Sequence, residues 1–424
     1  MPIPRLKTYG FQRRTAVRLK ATMNGRSSSQ VLFVGSFPPR KCGIATFTKD
    51  IIESYDAHAR SHSDVVAIDD PAACEYLYGP QVIARIKQLE RESYFVAAEL
   101  VNRHACNVVN IQHEYGLFGG ERGEWCNDFI SALEKPAVLT LHTVLPKPSA
   151  EHVAATRRLC AGAKRVVVMA ETGRRLLVER YGIERQKIAV IHHGVPDVAY
   201  QGTQAPKVAL GYADRTIVST FGLISDGKGL EYAIAAIHEV VQRHPTVLYL
   251  ILGATHPLVR RKEGERYRSL LQDRVAAIGL QQHVVMVDRY LSLEELVAYL
   301  QATDIYLTPY LNPDQIVSGT LAYAVGAGKA IVSTPYLYAR ELLAQGRGLL
   351  AEFRDSHSIA VAMERFLSDA FLRSATQRRA YAFGRRMQWS AVAADYGLLF
   401  ASLRKHRSLR TASTTARVAV ACYP

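Results

Sequence analysis

Two glycine-containing turns in this sequence each join a short apolar run to a helical pattern. In the turn from Phe221 to Gly229, Lys228 opens the next helix. A lysine beside the positive end of a helix is better explained as a phosphate partner than as a cap, and a solvated surface lysine is the alternative. In the other turn, which ends at Gly43, backbone N–H groups at the helix start could hold an anion. A plain strand–helix connection is the alternative there.

A third segment combines hydroxyls, a carboxylate and a glycine before a helical pattern that runs to Ala327. Asp314, Ser318 and Thr320 are plausible helix caps, and Gly319 lets a ligand approach the backbone closely. Backbone N–H groups and hydroxyls in this arrangement suit a diphosphate. Capping alone is the competing explanation for Asp314 and Ser318.

Histidines stand at the ends of several apolar runs: His113, His142 and the pair His192–His193. A histidine at a strand end is accessible and can donate a hydrogen bond to a substrate, but it can equally be a satisfied structural group. No His-x-x-x-His spacing or carboxylate cluster indicates a metal site. The first turn lacks the Gly-x-Gly-x-x-Gly dinucleotide fingerprint, and the chain lacks the Gly-x-Ser-x-Gly elbow of serine hydrolases.

The elements that must position these residues are short apolar runs alternating with helical periods. The runs are continuously apolar, which is typical of strands buried on both faces of a parallel sheet. The resulting fold class is α/β, with two doubly wound domains divided near 200–214. The predicted strands are Val31–Gly35, Asp64–Ile68, Asn107–Ile111, Ala137–Leu141, Arg165–Met169, Ile188–Ile191, Thr216–Phe221, Val247–Gly253, His283–Val287, Asp304–Thr308, Ala330–Ser333 and Gly348–Ala351.

In an open α/β sheet, ligands bind beyond the carboxyl ends of the strands, at a topological switch point. The turn after the first strand of each domain is therefore the predicted place of the site. Helical periods are clearest at Glu231–Val241 and Leu293–Leu300. Residues 389–403 form one more amphipathic helix, and no strand follows it.

The charge of +15 over 424 residues is concentrated at the ends. Residues 1–30 hold seven basic residues and residues 404–424 hold five, without an acid in either range, so residues 31–403 carry only +3. A uniformly cationic nucleic-acid protein is thereby disfavoured. Within the body, residues 157–187 carry +6, which suits an anionic lipid surface or an anionic acceptor.

Other features of the sequence point to a cytoplasmic protein. No apolar run approaches the roughly 18–20 residues of a transmembrane helix. The six cysteines are scattered without a Cys-x-x-Cys pair, which favours reduced thiols over a zinc site or a disulfide framework. The basic N-terminus lacks the apolar stretch of a secretory signal, and residues 1–30 are predicted to be a disordered tail.

Taken in order, several segments resemble the retaining nucleotide-sugar transferases of glycosyltransferase family 4, which have two facing Rossmann-like domains (the GT-B fold). The resemblance covers roughly residues 31–403. It is carried by the glycine loop ending at Gly43 and by five further segments: Thr140-Leu-His, Val166-Val-Val-Met-Ala-Glu-Thr, Ile191-His-His-Gly-Val, the turn from Phe221 to Gly229, and Leu321-Ala-Tyr-Ala-Val-Gly-Ala-Gly-Lys-Ala-Ile-Val. Trp389 matches the tryptophan that opens the family's last helix, which returns to the first domain.

The resemblance implies a division into an acceptor-side domain at 31–200, a donor-binding domain at 201–388, a returning helix at 389–403 and a basic tail at 404–424. It implies roles for individual residues as well. His142 would contact the transferred sugar, Asp314 would lie near that sugar, and His113 would line the acceptor cleft. The residues implied to bind the donor are Gly43, Gly222, Lys228, Ser318, Gly319 and Thr320.

The implied reaction is transfer of a hexose from a nucleotide-diphosphate sugar to a glycan, lipid or small-molecule acceptor, with retention and without a cofactor or metal. Two positions depart from the family. Ala322 stands where a glutamate usually holds the donor ribose, and Leu223 stands where an arginine usually precedes the diphosphate lysine. Arg260 and Arg340 are the candidates to replace that arginine. The departures leave open a nucleotide-sugar-binding protein without transfer activity. Another two-domain Rossmann enzyme, such as an epimerase or a dehydrogenase, is the remaining alternative.

Overall fold

The computed structural model describes residues 30–70 and 76–415, with side chains up to residue 403. Almost all of the tail expected at 1–30, and the residues beyond 415, lie outside this range. Two parallel sheets follow each other along the chain, and helices cover them.

The first sheet has seven strands, in the order β3-β2-β1-β4-β5-β6-β7, and every pairing is parallel. Its first strand lies between β2 and β4, so the switch point of this sheet falls at the carboxyl ends of β1 and β4. The strands are β1 (Val31–Gly35), β2 (Asp64–Asp69), β3 (Val82–Lys87), β4 (Val108–His113), β5 (Ala137–Leu141), β6 (Arg165–Val168) and β7 (Ile188–Val190).

The second sheet has six parallel strands, in the order β10-β9-β8-β11-β12-β13. Its switch point falls between β8 and β11. The strands are β8 (Thr216–Phe221), β9 (Val247–Leu252), β10 (Val284–Val287), β11 (Ile305–Thr308), β12 (Ala330–Ser333) and β13 (Leu349–Leu350).

Helices connect the strands on both faces of each sheet, as parallel connections require. The helices are α1 (Gly43–Ala59), α2 (Glu92–Arg103), α3 (Cys126–Ala132), α4 (Ala150–Gly162), α5 (Glu171–Tyr181), α6 (Gln204–Ala209), α7 (Leu230–Val241), α8 (Pro257–Glu263), α9 (Arg266–Ala277), α10 (Leu293–Ala302), α11 (Gly319–Gly326), α12 (Leu337–Leu342), α13 (Ser356–Ser368), α14 (Ala370–Gly384) and α15 (Trp389–Thr415).

All twelve predicted strands are confirmed to within two residues. One strand, β3, is missing from the sequence-based prediction. It lies at the edge of its sheet, and only Ile86 of its six residues is buried. Its exposed and partly buried residues therefore lack the continuous apolar run by which a strand buried on both faces is recognised.

The last helix, α15, packs against β1 and α1 of the first half. The ring of Phe400 lies 6.3 Å from that of Phe33 and 5.3 Å from that of Tyr55, centroid to centroid. Helix α15 continues to Thr415, beyond the expected end at 403, because no proline or glycine interrupts residues 404–415. The division of the chain near 200–214 stays a prediction; it falls between β7 and β8.

The two halves of the molecule touch at several points around the two switch points. The Glu341 carboxylate on α12 accepts hydrogen bonds from the backbone N–H groups of Glu171 (2.7 Å) and Thr172 (2.8 Å), at the start of α5. The side chain of Ile316, just before α11, is buried in the apolar core of the first sheet. These contacts join the carboxyl edges of the two sheets, and the space between those edges is the cleft.

Candidate active site between the two sheets

Lys228 ends a short 3-10 turn, Asp226–Lys228, directly after the switch-point strand β8. Gly229 follows with a φ of 63°, and α7 begins at Leu230. The Lys228 ammonium lies 3.9 Å above the centre of the Tyr310 ring. This cation–π contact holds the lysine at the carboxyl edge of the sheet, where it can meet an anion.

The start of α11 lies beside this lysine. Ser318 is the N-cap residue, and its hydroxyl accepts a hydrogen bond from the Leu321 N–H at 3.3 Å. The Thr320 hydroxyl is 2.7 Å from the Tyr310 hydroxyl and 3.1 Å from that of Ser318. Capping is thus a real role of Ser318, and the N–H groups that begin the helix remain for a ligand.

Gly222 completes this group of donor-side residues. Its φ of 127° is a conformation that other residues rarely adopt, and a Cβ here would lie 3.2 Å from the Thr320 methyl group. Tertiary structure therefore brings together Gly222, Lys228, Ser318 and Thr320, as the sequence analysis predicts. Asp314, in contrast, does not cap α11. It lies in the preceding turn, where its backbone N–H donates to the Asn312 side chain at 3.0 Å.

Across the cleft, Gly43 is the first residue of α1. A Cβ at this position would meet no atom within 4 Å, so the backbone at the helix start is open to a ligand. The preceding residue, Cys42, is the N-cap, and its sulfur accepts from the Ala45 N–H at 3.3 Å. Sulfur is a weak acceptor, which leaves this helix start less well satisfied than that of α11.

His142 follows β5 and is partly buried. Its Nε2 lies 2.8 Å from the Gln112 side-chain oxygen, and its ring meets that of Phe47 edge to face, with the centroids 4.9 Å apart. Burial, together with the nearby rings of His193 and His113, lowers the pKa of His142 to about 3. The ring is therefore neutral at physiological pH.

His113 corrects an expectation. The strand-end position predicts an accessible side chain, yet His113 is 1% exposed and its ring stacks on that of Phe118 at 5.3 Å. Neither ring nitrogen has a hydrogen-bond partner, and burial lowers its pKa to about 4. The chain turns back over the end of β4 through the 3-10 turn Tyr115–Leu117, and this covers the ring. Its role toward an acceptor stays a prediction.

Two residues of the cleft, Asp50 and Tyr323, were not considered as site residues in the sequence analysis, and His193 was considered only as one of the strand-end histidines. A Cβ on Gly319 would lie 2.9 Å from the His193 Nε2, so the segment after β7 touches the start of α11. The Asp50 carboxylate on α1 accepts from the Tyr323 hydroxyl on α11 at 3.3 Å, and burial raises its pKa to about 6. The sequence gives no signal for Asp50, because Lys49, Glu53 and Asp56 make it one of several charged residues in the same helix.

Neither arginine considered as a replacement at Leu223 is tied to the diphosphate lysine by a contact. Arg260 forms an ion pair with Glu265 at 3.1 Å, and the Arg340 guanidinium donates to the Pro335 carbonyl at 2.7 Å. Ala322 is fully buried within α11.

Two further properties concern the part of the chain that the structure describes. There, no three His, Cys, Asp or Glu side chains gather closely enough to hold a metal ion. Within the same range, none of the helices combines the length and the apolar character needed to span a bilayer.

Comparison with known proteins gives matches in both halves. Residues 50–198 match the family model described as Glycosyltransferase Family 4, and residues 215–369 match the model described as Glycosyl transferases group 1. A D-inositol 3-phosphate glycosyltransferase of Kineococcus radiotolerans is 24% identical over 320 residues, which cover 69% of this chain and 71% of that relative.

Solved structures share the architecture. Anabaena HepE, solved in complex with UDP and glucose, has a TM-score of 0.69 at 15% identity, with 88% of this chain and 100% of that chain covered. Sucrose-phosphate synthase from Thermosynechococcus elongatus has a TM-score of 0.70 at 16% identity, with 89% and 100% covered.

The two family matches follow the order of the two sheets along the chain, and the neighbours share the pair of Rossmann-like sheets. The resemblance of the sequence motifs is thereby confirmed at the level of family and fold. This chain belongs to the glycosyltransferases of family 4 and has the GT-B fold.

Proposed function

We propose that this glycosyltransferase transfers a hexose from a nucleoside-diphosphate sugar to a hydroxyl acceptor, with retention of configuration at the anomeric carbon. The observation that carries the proposal is the group formed by Lys228, Ser318, Thr320 and the backbone at Gly222 and Gly319, at the β8–β11 switch point. A cation, hydroxyls and free helix N–H groups in one place are what a diphosphate requires.

Negative charge develops on the diphosphate as the sugar leaves. Lys228 and the N–H groups of α11 would stabilise that charge without reorganising, which is the main contribution of a preorganised site. We expect no metal to be needed, since the ammonium and the helix end supply the positive potential.

Uncharged histidine side chains lie on the other side of the cleft, at the edge of the first sheet. The proposal assigns the sugar to His142, with Asp314 nearby, and the acceptor to the first sheet's edge near His113. The contacts between the two halves would exclude water, whose attack on the donor is the competing reaction. The Anabaena neighbour, solved with UDP and glucose, supports a sugar nucleotide as the donor, and the D-inositol 3-phosphate glycosyltransferase relative supports a phosphorylated polyol as the acceptor.

One alternative has its own observation. Ala322 and Leu223 offer neither the carboxylate nor the guanidinium that the family resemblance would place there, and Arg260 and Arg340 are engaged elsewhere. A protein that binds the nucleotide sugar without transferring it fits these departures.

Two measurements with UDP-, GDP- and ADP-sugars, calorimetric titration and an assay of turnover, test the proposed transfer reaction and the alternative of binding without transfer. Replacement Lys228→Ala should lower diphosphate affinity about 10–100-fold, because a charge-assisted hydrogen bond contributes about 1.5–3 kcal/mol. Lys87→Ala is the matched control, since Lys87 lies on the edge strand β3 and pairs with Glu90 at 3.0 Å. Unchanged affinity in Lys228→Ala would refute the assigned role, and binding without turnover over a broad acceptor panel would favour the alternative.

A peripheral membrane contact of a cytoplasmic enzyme is a separate part of the proposal. Lys164, Arg165 and Lys187 line one depression, with Glu184 as the acid beside them. These residues lie at the amino ends of β6 and β7, the edge opposite the candidate site. Such a patch would hold the protein on an anionic surface rather than hold the acceptor. Failure to bind anionic vesicles at low salt would contradict it.

A further inference from the structure

A buried row of hydrogen bonds runs from His142 to the last helix. The His142 Nε2 lies 2.8 Å from the Gln112 Oε1, and the Gln112 Nε2 lies 2.5 Å from the Asn110 Oδ1. The Asn110 Nδ2 reaches the Thr140 hydroxyl at 3.2 Å, and that hydroxyl is 3.0 Å from the Tyr396 hydroxyl. The three side chains between His142 and Tyr396 are fully buried.

The register of two strands creates this row. Asn110 pairs with Val138 and Gln112 with Thr140 across the β4–β5 ladder. Alternate residues of a strand share a face, so Asn110, Gln112 and Thr140 all point to the side covered by α1 and α15. Polar residues at two alternate positions of an apolar strand are costly to bury unless every atom finds a partner.

One backbone group sets the direction of the whole row. The Asn110 Nδ2 also lies 3.4 Å from the Val138 carbonyl oxygen, which can only accept a hydrogen bond. The amide nitrogen of Asn110 must therefore face that carbonyl, and its oxygen must face Gln112. Gln112 then presents its nitrogen to Asn110 and its oxygen to His142.

An amide oxygen only accepts, so the His142 Nε2 must carry the proton. In a neutral imidazole the other nitrogen, Nδ1, is then an acceptor. This Nδ1 makes no hydrogen bond with the described residues. It is also not one of their buried side-chain atoms that lack a partner, so it is accessible from outside the protein. It is thus the atom that the ring offers to the cleft.

We propose that Gln112 and Asn110 are positioning residues that fix His142 as the Nε2–H tautomer, so that its Nδ1 accepts a hydrogen bond from a hydroxyl of the substrate. The substrate clause rests on the proposed function, whereas the tautomer rests on the hydrogen-bond row alone. A group without a hydroxyl proton, such as a methyl ether, would be disfavoured at this place, because an acceptor would face an acceptor.

The tautomer is read from one-bond and long-range nitrogen–proton correlations of the full chain labelled with 15N-histidine. His142→Gln identifies the signal by its loss. The wild type should show Nε2–H as the dominant form, and a dominant Nδ1–H form would overturn the proposal. Gln112→Leu should produce a mixture of tautomers. Gln112→Glu should keep Nε2–H, because a protonated carboxyl group can donate to the Asn110 oxygen and offer its carbonyl oxygen to His142. A single Nε2–H form in a folded Gln112→Leu variant would overturn the positioning role.

Tyr396→Phe is the matched control at the far end of the row. It removes one hydroxyl but leaves the Val138 carbonyl, so the tautomer should stay the same; a changed tautomer would overturn Val138 as the origin of the direction. UDP-glucose and GDP-mannose then serve as probes. Binding that shifts the His142 Nδ1 resonance supports the substrate clause, and binding without a shift overturns it. If neither these probes nor the other UDP-, GDP- and ADP-sugars bind, the proposed function fails together with that clause, and the tautomer result stands apart.

Discussion

The two edges of the cleft have similar backbone structures but differ in the chemistry of their side chains. Each has a switch-point strand, a glycine-containing turn and the start of a helix: Gly43 of α1 in one half, Gly319 of α11 in the other. The edge of the second sheet adds an ammonium group and two hydroxyls. The edge of the first sheet adds uncharged imidazoles packed among aromatic rings.

This difference shows that the GT-B fold positions the two edges, whereas the side chains determine the chemistry of each edge. Burial lowers the pKa of His142 to about 3 and that of His193 to about 4, so both imidazoles stay uncharged at neutral pH. Under the proposed function, uncharged imidazoles do not compete with Lys228 for the diphosphate, and they offer the sugar hydroxyls polar partners without charge.

The largest expected effect is a loss of stability at acidic pH. His113, His142 and His193 have pKa values below 6.5 in the folded state, so the unfolded chain binds more protons between pH 6.5 and about 4. Stability should be level above pH 6.5 and fall by several kcal/mol through that window, since each pKa unit corresponds to about 1.4 kcal/mol. Denaturant unfolding at a series of pH values measures this.

His113→Phe isolates one of the three contributions. It removes the buried ring nitrogens that lack partners and keeps an aromatic ring against Phe118. The free energy of unfolding should depend less steeply on pH than in the wild type. An equal dependence would show that His113 does not contribute.

The second effect compares the two helix starts. Gly319→Ala should cost about 1–3 kcal/mol, because the new methyl group would meet the His193 ring at 2.9 Å. Gly43→Ala, at the same position of α1, meets open space and should leave the free energy of unfolding unchanged or slightly higher. Equal costs in urea unfolding would break the asymmetry between the two edges.

The third effect concerns a contact that joins the edges. The pKa of Asp50 is raised to about 6 by burial, so its contribution to stability is full below pH 4 and is lost as the pH rises through 6. Asp50→Asn should therefore become more stable relative to the wild type as the pH rises from 4 to 7. We expect a gain of about 1–2 kcal/mol, allowing for partial exposure to solvent.

The Asp50→Asn measurement has a built-in control. Above pH 7 the difference between the two proteins should stay constant, because the carboxyl group is then fully ionised. A difference that does not depend on pH between 4 and 7 would contradict the raised pKa.

The smallest effect concerns the caps. Ser318→Ala should cost about 1 kcal/mol, the usual value for a lost N-cap oxygen. Cys42→Ala should cost less, because its sulfur is a weaker acceptor from the Ala45 N–H. A larger loss in Cys42→Ala than in Ser318→Ala would reverse the comparison at the helix starts.

The sequence predicted most of the fold because strands buried on both faces must be apolar throughout. The edge strand β3 was not predicted, because most of its residues are exposed to water or only partly buried and need not be apolar. The proximity of Lys228, Ser318 and Thr320 was predictable for a related reason: these residues follow strands whose carboxyl ends meet at one edge. Burial of His113 was not predictable, since the covering turn depends on how the chain after β4 folds back.

The sequence by itself determined the succession of strands, the two turns, the nearly balanced charge of residues 31–403 and the family. Tertiary structure alone decided which groups face each other. The contact of Asp50 with Tyr323 joins residues 273 positions apart, and the tautomer of His142 follows from the Val138 carbonyl by way of Asn110 and Gln112 on the neighbouring strand β4. Hydrogen bonds are directional and short-ranged, so their pattern exists only once the strands are in register and the two halves are together.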